Sequence, residues 1–187
     1  MKKSNQEAAE KITFKNLRRL YFFALLTIAL TIIISQFLVQ YNLNQQLSDS
    51  KIINFSGKQR MLSQKIVKEV LILHYVSDSA TAKKTSHLKE VLEIWKKNQN
   101  ALKNGSDSLA FPKEKSETLS KLYLEINPIF NKIAQTTDSF LLNLQQKKSA
   151  SENQKLVQII LENEGVFLSK MNQIVTQYDL EAHEKVT

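Results

Sequence analysis

One arginine governs the chemistry available to this chain. The sequence of 187 residues carries 26 basic side chains, yet only Arg18, Arg19 and Arg60 are arginines. The first two flank a hydrophobic span, so Arg60 is the single guanidinium in everything that follows it, where lysine supplies all other positive charge. Lysine serves solubility equally well, whereas a planar fork of donors suits the grip of a flat oxyanion. Wound as a helix, residues 52–73 place Ile53, Gly57, Arg60, Gln64, Val67 and Leu71 on one stripe. Ile52, Phe55, Leu62, Ile66, Val70 and Leu73 form a second apolar face, and Lys51, Lys58, Lys65 and Glu69 a third that reads as solvent. Two apolar faces give the helix two packing tasks: its own bundle, and a partner subunit. A mid-helix glycine costs about 1 kcal/mol relative to alanine, so Gly57 points to close approach of backbone or ligand. Two readings stand for this pair. Either Gly57 and Arg60 build an anion site in the second seam, or Gly57 merely permits tight helix packing and Arg60 snorkels to water.

The elements that must position Arg60 are helices. Three glycines and two prolines are too few for hairpin turns, and zero cysteines exclude disulfides and thiolate chemistry. The first helix runs on from residue 40 to about Tyr75, with a turn at 77–81. The second covers about 82–103, with Leu88, Val91, Leu92 and Trp95 on one face, and stops at Asn104-Gly105. The third covers about 113–146, with Leu119, Leu122, Tyr123, Ile126, Ile129, Phe130 and Ile133 as its stripe and Pro128 as a kink. The fourth covers about 150–185, with Leu156, Ile159, Leu161, Val166, Leu168, Met171, Val175 and Tyr178 apolar. Short loops between long amphipathic helices predict an all-α, antiparallel four-helix bundle.

Ahead of the bundle, residues 20–39 are apolar apart from Thr27, Thr31, Ser35 and Gln36. About 20 such residues cross a bilayer core as a helix. Residues 1–19 hold six basic and two acidic side chains. The positive-inside rule then places 1–19 in the cytoplasm, 20–39 in the membrane and 40–187 outside the cytoplasm. A cleaved signal peptide is the rival reading, against which stand the length of the span and the lack of a small-x-small cleavage site. No paired carboxylates, metal-spaced histidines or glycine-rich phosphate loop appear, so the sequence predicts no enzyme, no metal and no cofactor. His74, His87 and His183 are scattered. An extracytoplasmic domain with lysines set among acids argues against nucleic acid as a partner.

Residues 53–66 (Ile-Asn-Phe-Ser-Gly-Lys-Gln-Arg-Met-Leu-Ser-Gln-Lys-Ile) resemble the signature of the type IV pili methyl-accepting chemotaxis transducer N-terminal domain. Nitrate/nitrite sensor histidine kinases carry a related version. Residues 102–112 resemble the family's mid-domain loop and 167–182 its last helix, so the resemblance runs from about Tyr41 to Ala182. It implies a sensory receptor of the chemotaxis or two-component type in the inner membrane, with a periplasmic four-helix bundle that senses a small ligand. In the nitrate sensors the anion lies at the homodimer interface between two copies of the first helix, held by the arginine three residues after the motif glycine and by backbone near that glycine. The matching positions are Arg60 and Gly57, flanked by Asn54 and Gln64 as weaker candidates. Lys58, Gln59 and the run 61–64 bring this version closer to the pilus-transducer type, for which nitrate does not follow. Lys65 stands where a second arginine is common. The family pattern continues with a second membrane helix and an output module, so this chain reads as the sensory piece of a longer receptor or as a stand-alone single-pass protein. The alternative function is a ligand-free scaffolding bundle that dimerises outside the cytoplasm.

The charge asymmetry yields a test of topology. A single cysteine introduced at Ser106 of this cysteine-free chain is expected to react with an impermeant maleimide applied to intact spheroplasts. Labelling only after permeabilisation would reverse the orientation.

Overall fold

The structure, a computed structural model, describes residues 2–76 and 81–185, with side chains described at 15–76 and 82–185. Among these residues there are four α-helices and no strand: α1 Lys2–Tyr75, α2 Thr81–Asn104, α3 Glu117–Gln145 and α4 Ala150–Glu184. Except for Thr81, which opens α2, the turn expected at 77–81 lies outside the described residues. The chain divides into two compact units, 1–45 and 46–187. The first contains the one stretch, among the described residues, that is long and apolar enough to cross a membrane, and none of that stretch is buried. Two of its hydroxyls bond back to the backbone: Thr27 donates to the Phe23 carbonyl at 2.7 Å and Thr31 to that of Thr27 at 2.8 Å. This back-bonding satisfies the two threonine hydroxyls within an otherwise largely apolar stretch.

The second unit is the antiparallel bundle. Glu69 lies 4.0 Å from His87, Gln59 bonds the Trp95 carbonyl, and Lys51 reaches the Leu109 carbonyl, so α2 descends as α1 rises. On the other side Asp49 pairs with Lys185 and His74 bonds Gln154, which runs α4 antiparallel to α1. Tyr123–Tyr178 and Asn143–Asn153 set α3 against α4 in the same sense. The core is a file of aliphatic side chains around Trp95, which is fully buried with ring centroids 4.4 Å from Phe130 and 5.0 Å from Phe167.

The ends of the helices follow from local chemistry. Gly105 closes α2 at φ +80°, and a Cβ there would lie 2.7–2.9 Å from Lys113, so both torsion and space require glycine. Helix α3 begins at Glu117, later than the expected 113, because Ser116 supplies the cap by accepting from the Leu119 amide. Ser149 and Glu152 form a reciprocal capping box on α4. Pro128 interrupts the bonding of α3, but Pro128 and Leu124 are both exposed, which leaves the deprived carbonyl open to water.

The expected apolar face of α4 needs correcting. Leu161 and Val166 are 43% and 48% exposed, and the buried line is Asn153, Val157, Ile160, Phe167, Met171 and Ile174. A helix with more apolar residues than its core can cover admits two phases, and the sequence reading took a mixture of both. The corrected seven-residue rhythm places Glu164 on the core line between Ile160 and Phe167. One of its carboxylate oxygens is buried without a hydrogen-bond partner. Burial pushes the Glu164 carboxyl above the ordinary glutamate value. The folded chain therefore binds the proton more tightly than the unfolded chain. Its stability rises as pH falls through the raised folded value, and the gain is complete below the unfolded one. Glu164→Gln is expected to flatten this dependence in urea unfolding of the full chain, and Glu164→Leu to add about 1 kcal/mol at neutral pH. Destabilisation by both variants would place the carboxylate in a favourable contact instead.

Candidate functional site

The helix α1 is buried on one side by an unusual set of residues. Ser56, Gln59 and Ser63 are as fully buried as Ile52, Leu62 and Ile66 around them. Gln59 Nε2 donates to the Trp95 carbonyl at 3.1 Å and to Gln99 Oε1 at 3.0 Å, while Trp95 Nε1 donates back to the Gln59 carbonyl at 3.2 Å. This exchange fixes the rotation of α1 against α2. With Gln59 pointing inward, Arg60 is swung by about 100° toward the edge that faces α4.

There Arg60 is half-buried. Its Nη1 donates to Asn172 Oδ1 on α4, and its side chain leans back over Gly57. An added Cβ on Gly57 would lie 3.9 Å from Arg60 Nη2, an ordinary contact. Among the described residues Arg60 has no ion pair. Two α4-side lysines, by contrast, are paired: Lys170 meets Glu125 at 2.6 Å and Lys185 meets Asp49 at 2.8 Å. The guanidinium of Arg60 thus has a neutral partner on one side and an open edge on the other.

The four sequence-selected residues lie along one side of α1 but in different surroundings. The Arg60 side chain reaches over Gly57, where an added Cβ would meet it. Gln64 is exposed one turn further on. Asn54 is exposed one turn before Gly57 and lines a cavity of about 570 Å³ with Asp49, Ser50, Ile53, Asp179 and His183. The apolar stripe expected to carry a partner is shorter than drawn from the sequence. Val67 and Leu71 pack against the chain's own core, and only its N-terminal part stays open. The charged face is also less solvated than expected. Lys51 bonds the Leu109 carbonyl at 2.8 Å and lies 5.8 Å above the Phe111 ring, and the Glu69 side chain is only 14% exposed beside His87.

Sequence reasoning missed Gln59 and Asn172. The signal for Gln59 was available: Ser56, Gln59 and Ser63 recur at spacings of three and four, in phase with Ile52 and Ile66. Asn172 carries no signal of its own, because only the packing of α4 on α1 brings it to Arg60.

Gly57→Ala provides a test that separates packing from ligand. The single chain has room for a methyl group, so the substitution is expected to stabilise the fold by about 0.5–1 kcal/mol through helix propensity. A loss of stability in chemical denaturation would show that the glycine serves close packing.

A family model described as the type IV pili methyl-accepting chemotaxis transducer N-terminal domain matches residues 41–156. The match ends early in α4, so the likeness read at 167–182 falls outside it. No curated protein and no solved structure matches the chain at a significant level.

Proposed function

The chain belongs to the type IV pili methyl-accepting chemotaxis transducer N-terminal family, which makes it a signal-transducing receptor domain, and from that premise we propose that Arg60 takes a small planar oxyanion of the nitrate or nitrite kind. The observation that carries this reading is the lone guanidinium of the bundle, half-buried, without an ion pair among the described residues and bonded to the neutral Asn172. An anion that accepts from the free edge of the fork gains charge-assisted bonds that an amide oxygen does not match.

The reading extends to a dimer. Asn54, Met61 and Gln64 leave the outer side of α1 uncovered beside Arg60. A two-fold pairing through this side would set two guanidinium groups against each other. At ~6 Å and an effective dielectric of 20 their repulsion is on the order of 3 kcal/mol. A shared anion converts that repulsion into two sets of hydrogen bonds, so it favours one packing of the two helices over another. That difference is what a signal requires. The apolar part of α1 would carry the displacement across the inner membrane, with the bundle on the periplasmic side.

Thermal shift and calorimetry on the full chain in detergent test the site with nitrate and nitrite. Arg60→Ala is expected to weaken binding by about 10- to 100-fold, the value of losing a hydrogen bond to a charged group. Arg60→Lys is expected to fail as well, because a point charge does not reproduce a fork. Lys58→Ala is expected to bind normally. Asn172→Asp is expected to lose binding, since an internal carboxylate would satisfy Arg60 permanently. Undiminished binding by Arg60→Ala would remove the anion from this residue, and an unresponsive but dimeric wild type would return the scaffold reading.

A further inference from the structure

The two arginines that flank the apolar stretch are not used by the reading above. Among residues 1–19 the basic side chains at 2, 3, 11 and 15 are lysines, and the arginines stand together as Arg18 and Arg19, directly before the span that opens at residue 20. A charge bias across a bilayer is counted in lysine and arginine alike, so topology alone does not select arginine there. Wound on α1, Lys15, Arg18, Arg19, Phe22 and Phe23 fall within about 140° of helix surface. Arg18 stands one turn before Phe22, and Arg19 one turn before Phe23. These four side chains line one surface recess. The two rings are 64% and 63% exposed and meet edge to face with centroids 6.3 Å apart.

Neither guanidinium has an ion pair or a hydrogen bond among the described residues. The sequence has no carboxylate between Glu10 and Asp49. At a rise of 1.5 Å per residue, Glu10 stands about 12 Å back along the helix from Arg18. The pair of cations therefore lacks a counter-ion on its own helix. Its depth fits a lipid. A hydrocarbon core of about 30 Å within a bilayer of about 40–45 Å leaves a headgroup layer of about 5–8 Å on each side. One helical turn, about 5.4 Å, separates each guanidinium-bearing residue from its phenylalanine. With the rings at the edge of the hydrocarbon, the arginines reach the level of the phosphates. Arginine holds a phosphate through paired parallel bonds, whereas lysine offers a point charge. The adjacent exposed rings supply an apolar contact for an acyl chain.

We infer that Arg18, Arg19, Phe22 and Phe23 form a binding face for an anionic phospholipid. Its phosphodiester lies between the two guanidinium groups, and an acyl chain lies along the two rings. A zwitterionic lipid carries its own cation beside the phosphate, which two guanidinium groups repel, so the face selects a headgroup without one. Bound lipid fixes the depth of α1 at this boundary. The inference shares with the reading above only the bilayer-spanning part of α1. It is independent of Arg60 and of the side of the membrane on which the bundle stands.

The test is native mass spectrometry of the full chain in detergent, titrated with equal amounts of dioleoylphosphatidylglycerol and dioleoylphosphatidylcholine. The phosphatidylglycerol adduct is expected to form with a Kd about tenfold lower, the value of one charge-assisted contact. The double variant Arg18→Lys/Arg19→Lys keeps the charge but not the forks and is expected to lose this preference. Phe22→Ala/Phe23→Ala is expected to weaken phosphatidylglycerol binding, and Arg60→Ala to leave it unchanged. All four substituted positions of the double variants are exposed, and circular dichroism checks that the helix persists. Glycerophosphoglycerol, the headgroup without acyl chains, is expected not to displace the lipid. The proposal is overturned if the wild type shows no preference, or if the lysine variant keeps it, which would reduce the face to bulk charge. It is equally overturned if the phenylalanine variant binds like wild type, if the headgroup alone displaces the lipid, or if Arg60→Ala removes the preference. Alkaline carbonate extraction separates this inference from the membrane reading. The wild type and the lysine variant are both expected in the membrane pellet. Release of the wild type would remove the span and the lipid face together. Absence of the lipid preference, with the wild type in the pellet and nitrate binding intact, would count against this inference alone.

Discussion

The exchange of hydrogen bonds between Gln59 and Trp95 is the constraint on which the bundle's functional surface depends. Each residue donates from its side chain to the other's backbone carbonyl, at 3.1 and 3.2 Å, in a fully buried setting. Two bonds in opposite directions fix both the rotation and the height of α1 against α2. A purely aliphatic seam would fix neither so tightly, because apolar contacts are non-directional. The polar exchange has a cost, since Gln59 Oε1 and Gln99 Nε2 are left buried without partners. A bundle selected for stability alone would fill these positions with leucine. Retaining glutamine there sets the orientation of the residues beside it, above all Arg60.

From that orientation the two edges of α1 acquire different characters. Toward α4 the links are long side chains: Arg60 to Asn172, Lys185 to Asp49, His74 to Gln154. Toward α2 the central links, between Gln59 and Trp95 and between Gln59 and Gln99, are buried. Trp95 in turn is wedged between Phe130 and Phe167, so α2 is tied to α3 and α4. The Tyr123–Tyr178 pair adds a buried contact between α3 and α4, and burial pushes both phenols up, Tyr178 to about 12, so the pair stays neutral at ordinary pH.

Much of this was legible in the sequence, for reasons that differ by element. Helices α1 to α4 follow from glycine and proline scarcity, and Asn104-Gly105 marks a stop that the positive φ of Gly105 explains. The core face of α2 is simple because Leu88, Val91, Leu92 and Trp95 are its strongest apolar residues at helical spacing. On α4 apolar residues occupy more than one face, so periodicity alone could not choose the phase, and Leu161 and Val166 were misplaced. At the site, Arg60 and Gly57 stood out by type, one as the only guanidinium of the bundle and the other as a glycine inside a helix. Asn172 was invisible, because it meets Arg60 from 112 residues away only after α4 packs on α1.

The same geometry limits how an event at Arg60 can be transmitted. Consecutive residues on a helix are about 100° apart, so rotating α1 to bring Arg60 onto an anion would carry Gln59 out of its place against Trp95. Both buried bonds would break together. A displacement that preserves them must move α1 with α2, or change only the contact between α1 and α4. The second course leaves the Gln59–Trp95 exchange intact and disturbs polar links made by long side chains, whose individual contributions are small. Of the polar links of α1, those to α4, where Arg60 sits, are the ones such a displacement can change first. A ligand that drew Arg60 away from Asn172 would act on that interface and leave the Gln59–Trp95 exchange in place.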